Sequence, residues 1–229
     1  VQPVQTAVHH PDEISTLFDG AIVYAKGGRL LYMLMHWLGE AAFRAGLQAY
    51  FARHAYSNAE GDDLWRALSQ ASGRDVAALM NHWIRTPGYP VVTASLSGSQ
   101  LMLEQQRFFI GPHKTDDAIW QIPLHSSSPA TPALLTEQRA VVEHSLDEPV
   151  LLNHGNVSHF ITQYDDALLE RLLGQVRRGA LSVVDRSLLL TQQLLLARSG
   201  RVSSASLLTL LDACLLYTSP SPRDRQKSR

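Results

Sequence analysis

Apolar residues recur at helical spacing through the first part of the chain. One stripe consists of Leu30, Leu31, Leu34, Met35 and Leu38. This period predicts an amphipathic helix that ends at Gly39. Similar segments lead to Gly73 and then to Pro87. The pattern therefore predicts that residues 1–90 are helical, with breaks at glycine and polar residues.

The period changes at Pro90, where short runs rich in Val, Ile, Leu and aromatic residues begin. Turn signals separate several of them, for example Ser97-Gly98 and Gly111-Pro112. Such runs predict a small antiparallel β-sandwich over residues 91–164. The predicted strands are 91–96, 101–105, 107–110, 120–124, 140–143, 150–153 and 159–162.

Helical spacing returns after Tyr164. Leu168-Leu169 and Leu172-Leu173 lie one turn apart, a long segment begins at Asp185, and another begins at Ser203. Two helices cannot bury their apolar faces without neighbours. The pattern therefore predicts that residues 165–213 are the beginning of a larger helical domain. The fold class expected from the whole pattern is a multidomain α+β fragment.

The last residues, 214–229, differ in composition from the rest. From Cys214 to Asp224 they read CLLYTSPSPRD, and several basic residues follow. This stretch resembles one reading frame of a transposase-type DNA sequencing adapter. A genuine Ser/Pro/Arg-rich disordered tail is the alternative reading. We treat 214–229 as an artefactual tail, expected to lie extended and uncontacted and to have no structural or functional role.

Setting this tail aside changes the charge and the cysteine content. The whole chain has a formal charge of −1, and the basic residues of the tail outnumber its one acidic residue. The remainder is therefore acidic and carries no basic stripe, so we expect no nucleic-acid partner. No apolar run approaches the length of a membrane span, so no membrane segment is expected. The only cysteine, Cys214, lies in the tail, which is compatible with a reducing, cytoplasmic compartment.

Tyr24 is the strongest candidate for chemistry. It lies in the sequence Phe18-Asp19-Gly20-Ala21-Ile22-Val23-Tyr24-Ala25-Lys26-Gly27. A phenol is a neutral hydrogen-bond donor near pH 7, and such a donor stabilises the oxyanion that develops during peptide hydrolysis. The alternative for a tyrosine taken alone is a half-buried packing residue at a helix start.

The surrounding sequence resembles the aminopeptidase N family of gluzincin zinc metallopeptidases, and most closely its branch from lactic acid bacteria. The resemblance rests on the order of several motifs: Val8-His9-His10-Pro11, Tyr24-Ala25-Lys26-Gly27, Tyr56-Ser57-Asn58-Ala59, Asp63-Leu64-Trp65, Gly88-Tyr89-Pro90-Val91 and Trp120-Gln121-Ile122-Pro123-Leu124.

This resemblance implies a fold, a cofactor and a substrate class. Residues 1–90 would be the helical half of a thermolysin-like catalytic domain, 91–164 a β-sandwich domain, and 165–213 the beginning of an α-solenoid. The parent protein would be a bacterial cytoplasmic aminopeptidase that acts on peptides with a free N-terminus. It would use one zinc ion whose ligands are not in this chain, and Tyr24 would stabilise the oxyanion. The fragment by itself would be inactive.

The other polar residues are weaker candidates than Tyr24 for a metal or catalytic site. The motif His-Glu-x-x-His, which places two zinc ligands and a general base on one helix face, does not occur. We interpret the remaining candidates as helix caps, core-edge groups or loop residues: His9, His10, His36, Glu40, Asp62, Asp63, His82, Ser126–Ser128, His154 and His159.

Two alternative functions remain open at this stage. One is a catalytically inactive family member that binds peptides or acts as a scaffold. The other is a tricorn-type or epoxide-processing relative that shares the tyrosine but not the specificity. The sequence carries no signal for the oligomeric state or for the preferred N-terminal residue.

Overall fold

The first part of the chain is helical, as the apolar period predicts. The computed structural model describes residues 2–17, 19–112, 116–145 and 148–215. A short 3₁₀ turn, Pro11–Glu13, leads into α1, Ile14–Leu17. A π-helix, Ala21–Lys26, then continues directly into α2, Gly27–Leu38. The next helices are α3, Glu40–His54, α4, Gly61–Ser72, and α5, Val76–Arg85.

Glycines end two of these helices at the predicted positions. Gly39 follows α2 with a φ of 87°, and Gly73 follows α4 in the left-handed conformation with a φ of 69°. These angles disfavour residues with a Cβ atom. A third glycine, Gly46 in α3, permits close packing: a Cβ atom there would lie 2.9 Å from the Cα atom of Leu68 in α4.

Within the described part of the chain, six strands form two small sheets after residue 90. The strands are β1, Pro90–Ser97, β2, Gln100–Arg107, β3, Ile122–Pro123, β4, Leu134–Leu135, β5, Arg139–Glu143, and β6, Ile161–Tyr164. The larger sheet has the order β5-β2-β1-β6, and β3 pairs with β4. The combination of helices and small sheets confirms the α+β fold class.

The expectation of a purely antiparallel arrangement is wrong for one strand pair. β1 and β2 form an antiparallel hairpin, but β6 pairs with β1 in parallel, with Val91 opposite Ile161. A long connection separates β1 from β6, and it allows the chain to return in the same direction. The predicted strands at 107–110 and 150–153 are also wrong, because Phe108–Ile110 and Val150–Asn153 are irregular.

Three helices follow the sheet: α6, Asp166–Arg177, α7, Val183–Arg198, and α8, Ser204–Leu215. Asp165 connects the two regions, since its carboxylate accepts hydrogen bonds from the backbone N–H groups of Leu168 in α6 and Leu96 in β1. α8 includes Cys214 and Leu215. The prediction that the tail is extended from Cys214 onward is therefore wrong for these two residues, while 216–229 lie outside the described residues.

One hydrophobic cluster connects the first helices with the sheets. It includes the fully buried Trp83 of α5 and Trp120, which precedes β3. The Trp83 indole N–H donates to the carbonyl oxygen of Gln121 at 2.9 Å. A second cluster fills the space between α6, α7 and α8, with Cys214 at its edge. Within the described ranges, no helix is long and apolar enough to cross a membrane.

Candidate functional site

Tyr24 lies in the π-helix immediately before α2. Its side chain is 70% exposed. π-Helical turns are rare and are found frequently at functional sites, because the wider turn changes the direction in which side chains project. The turn begins after Asp19, whose carboxylate accepts from the N–H of Ala21 at 2.8 Å. The local backbone thus presents this tyrosine away from the core.

A cleft of about 750 Å³ contains Tyr24 on its wall. The start of α2 contributes Gly27 and Gly28, and the start of α4 contributes Glu60 and Asp62. The Glu60 N–H donates to the side chain of Asp63, and the Glu60 side chain accepts from the Asp63 N–H, which forms a reciprocal cap. This confirms the cap interpretation for Asp63. The floor of the cleft is apolar and includes Leu30, Trp65 and Met80.

Lys26, two residues after Tyr24, is buried with only 7% of its surface exposed. Its ammonium group donates to the carbonyl oxygens of Thr86 at 3.0 Å and Gly88 at 2.8 Å. Burial, and secondarily the positive charge of Arg107, lower the pKa of Lys26 to about 8. The motifs around Tyr24 assign no role to this side chain. A lone lysine within an apolar helical segment was the signal that could have found it.

Arg29 contacts the β region from the first turn of α2. Its guanidinium donates to the side-chain oxygen of Asn156 and, at 2.8 Å, to the carbonyl oxygen of Ser158. Burial lowers its pKa from the ordinary arginine value. Together with Lys26, it anchors the helix that carries Tyr24 to segments distant in sequence.

His159 faces the same two cations. Its ring packs against Tyr89 and Trp83, with ring centroids 5.0 and 6.0 Å away. Burial is the main cause that lowers the pKa of His159 to about 3, and the charges of Lys26 and Arg29 add to it. The imidazole is therefore neutral at physiological pH.

The other candidate residues have structural contacts. His10 caps the turn at Pro11, and Glu40 at the start of α3 accepts from Arg44 at 2.7 Å. His154 contacts the buried carboxylate of Asp185 at 3.1 Å, whereas His159 points toward Tyr89 and Trp83. These arrangements agree with the interpretation of the histidines and Glu40 as caps and packing groups.

A zinc site does not form among the residues that the structure describes. In these ranges no three His, Cys, Asp or Glu side chains converge to hold a metal ion. The described residues therefore do not fit a zinc ion. Tyr24 is the sequence-predicted catalytic residue that lies on a cleft, and its catalytic role stays a prediction.

Comparison with known protein families adds independent information. Residues 1–83 match the Peptidase family M1 domain. The chain is 46% identical over 218 residues to aminopeptidase N of Lactococcus lactis subsp. lactis, covering 93% of this chain and 25% of that protein. It is 41% identical to aminopeptidase N of Lactobacillus helveticus over 92% of this chain and 26% of that protein.

A more distant relative is tricorn protease-interacting factor F2 of Thermoplasma acidophilum, which is 36% identical over 88% of this chain and 25% of that protein. The chain thus spans about a quarter of the length of the relatives it matches. Residues 1–83 are thus similar to an M1 peptidase domain, and the chain is similar over most of its length to aminopeptidase N proteins. This confirms the predicted resemblance to the branch from lactic acid bacteria.

Proposed function

We propose that this chain is the later part of the catalytic domain, together with the segments that follow it, of a metallo-aminopeptidase. The parent enzyme removes N-terminal residues from peptides with a free N-terminus in the bacterial cytoplasm. The observation that carries this proposal is the exposure of Tyr24 on a π-helical turn at the wall of a cleft. The similarity to aminopeptidase N proteins supports the substrate class.

In this proposal Tyr24 donates a hydrogen bond to the oxyanion of the tetrahedral intermediate. A phenol hydroxyl is a suitable donor, and a hydrogen-bonded helical turn carries this one. Lys26 and Arg29 act as positioning residues, since their hydrogen bonds to Gly88 and Ser158 hold the turn that carries Tyr24. Neither side chain lines the cleft of Tyr24.

We also propose that this chain by itself neither binds catalytic zinc nor hydrolyses peptides. The described residues supply no set of three metal ligands, and a catalytic zinc site needs at least three. The zinc ion of the parent would be held by residues outside those described here. A zinc titration of residues 1–229, combined with an aminoacyl-coumarin assay, tests this point. Stoichiometric zinc and activity that disappear together on chelation would contradict it.

The role of Tyr24 is tested in a full-length enzyme that contains this segment. Tyr24→Phe is expected to reduce kcat by about 100-fold or more with little change in KM, because the hydroxyl binds the transition state more tightly than the substrate. Tyr32→Phe is the matched control, since Tyr32 is an exposed tyrosine on α2 that does not line the cleft.

Two results would contradict the proposal. A folded, zinc-loaded Tyr24→Phe enzyme with nearly normal kcat would make Tyr24 a packing residue. A full-length wild-type protein that binds peptides without cleaving them would instead indicate an inactive scaffold.

A further inference from the structure

A second cavity, of about 800 Å³, lies between the π-helix, α7 and the segments around β6. It is separate from the cleft of Tyr24, and the two cavities share no lining residue. Lys26 and Arg29 both line it, as do Asn156 and His159. The family comparison and the proposed reaction assign no role to this cavity.

Among the residues that the structure describes, Lys26 and Arg29 have no acidic partner. The ion pairs recorded for the described residues involve other basic side chains, and neither Lys26 nor Arg29 belongs to them. Both side chains instead donate to neutral oxygen atoms. An ammonium group has three donors, so the two contacts of Lys26 leave one available. Buried charges are costly unless they are paired, and a carboxylate would pair with both cations.

Two further polar atoms on the wall lack partners within the described part of the chain. They are Nε2 of His159 and the side-chain oxygen of Gln192, each enclosed and without a hydrogen bond. Gln192 in α7 is almost completely buried, and its amide nitrogen donates to the Phe160 carbonyl oxygen at 3.3 Å. Unsatisfied polar atoms are uncommon in protein interiors and require an explanation. An anionic ligand would accept a hydrogen bond from His159 in the tautomer that carries the proton on Nε2, whereas the Gln192 oxygen requires a donor such as water.

The rest of the cavity wall is apolar. Aromatic and aliphatic side chains from three segments contribute to it: Ile22, Phe108, Phe160, Ile161, Leu188 and Leu195. A wall of this kind favours a ligand with a hydrophobic body, because burial of apolar surface stabilises the complex. It disfavours polyanions such as nucleic acids or polyphosphates, which have no apolar part to bury.

We propose that this cavity binds an organic carboxylate with an apolar body, its carboxylate directed toward Lys26 and Arg29. Charge complementarity selects the anion, since both cations line the cavity and neither forms an ion pair with the described acidic residues. The apolar walls favour a ligand whose remaining part is apolar. The inference does not depend on the peptidase reaction, and its failure would leave the proposed role of Tyr24 unchanged.

The experiment is a calorimetric titration of the full chain with 3-phenylpropionate, compared with the neutral 3-phenylpropanamide. The two probes share an apolar body and differ in charge. We expect the carboxylate to bind about tenfold more tightly, because a charge-assisted contact is stronger than a neutral one. Added salt should weaken the binding of the carboxylate more than that of the amide.

A pair of variants at Ala25 tests the charge. Ala25 is exposed and lines the cavity mouth, so substitutions there should not disturb folding. Glu and Gln have nearly the same size, so the comparison isolates the charge. Ala25→Glu should weaken 3-phenylpropionate binding about fivefold relative to Ala25→Gln, because it places a second negative charge near the carboxylate of the probe.

A second pair of variants tests the location. Thr191 and Leu194 both lie on α7 with exposed side chains, but only Thr191 lines the cavity. Thr191→Trp should abolish binding by filling the mouth, whereas Leu194→Trp should leave it unchanged. The proposal would be overturned if the acid did not bind, or if the acid and the amide bound with equal affinity. Equal effects of Glu and Gln at position 25, or retention of binding in Thr191→Trp, would also overturn it. Circular dichroism spectra verify that the variants are folded.

Discussion

The ammonium nitrogen of Lys26 lies 2.8 Å from the carbonyl oxygen of Gly88. This hydrogen bond connects the π-helix, which carries Tyr24, to the segment where the chain leaves α5 and enters β1. A second bond, to the Thr86 carbonyl oxygen, reinforces the connection. The position of the candidate catalytic turn thus depends on a contact between residues far apart in sequence.

The buried ammonium of Lys26 makes the stability of the chain depend on pH. Its pKa of about 8 in the folded chain lies below the ordinary lysine value of 10.5. Between these values the unfolded chain binds the additional proton, so the free energy of unfolding rises with pH. The expected slope approaches 1.4 kcal/mol per pH unit.

Urea unfolding between pH 8 and 9.5 measures this effect, with Lys26→Met as the comparison. The variant lacks the titrating group and should lose the slope, although it is less stable overall because two carbonyl oxygens lose their donor. Identical slopes in the two proteins would show that Lys26 titrates with an ordinary pKa.

His159 makes the free energy of unfolding depend on pH in the acid range. Its pKa of about 3 in the folded chain lies below the ordinary histidine value of 6.5. Between these values the unfolded chain again holds the additional proton, so stability falls as the pH decreases from 6.5 toward 3. His159→Phe keeps an aromatic ring against Tyr89 and Trp83 but cannot titrate.

The variant should therefore lose less stability on acidification than the wild type, by about 1–2 kcal/mol at pH 5. Urea unfolding at pH 7 and pH 5 gives the comparison. His82 and His125 also have lowered pKa values because of burial, so a smaller acid slope should remain in the variant. A loss of stability equal to that of the wild type would indicate that His159 is protonated in the folded chain.

The contact between α3 and α4 predicts a steric effect at Gly46. A methyl group there would lie 2.7 Å from a side-chain carbon of Leu68 and 2.9 Å from its Cα atom. Gly46→Ala should therefore lower the free energy of unfolding by about 1–3 kcal/mol.

Gly28→Ala is the matched control for this substitution. Gly28 also lies in a helix, but no atom lies within 4 Å of the position that its Cβ would occupy. This change should leave stability unchanged or raise it by about 0.5–1 kcal/mol. Thermal melts of both variants make the comparison, and equal effects would contradict the proposed close packing.

The hydrogen bonds of Asp185 predict that removal of its carboxylate lowers the stability of the chain. Its buried carboxylate accepts from the Gly155 N–H at 2.7 Å and from the Ser182 hydroxyl at 2.7 Å. Asp185→Ala leaves these donors without a partner and should cost about 2 kcal/mol or more. Asp212→Ala, at an exposed position of α8, should change stability by less than about 0.5 kcal/mol. Denaturant titrations that give equal losses would show that Asp185 is not a structural anchor.

The sequence alone predicted most of the helices and the family resemblance. The apolar period predicted α2, α4 and α5, because burying one face of a helix requires apolar residues one turn apart. The glycines after α2 and α4 marked their ends, because positive φ angles favour a residue without Cβ. The order of motifs around Tyr24 predicted the similarity to the aminopeptidase N family.

Only the tertiary structure decided which distant residues meet. The parallel pairing of β6 with β1 depends on the path of a long connection, and the hydrophobic pattern of a strand does not encode its direction. The clustering of Lys26, Arg29 and His159 depends on contacts that join the π-helix to residues 86–88 and α2 to residues 156–158. Local propensity cannot predict such contacts, because they arise from the way separate elements pack, and this packing places both cations in one cavity.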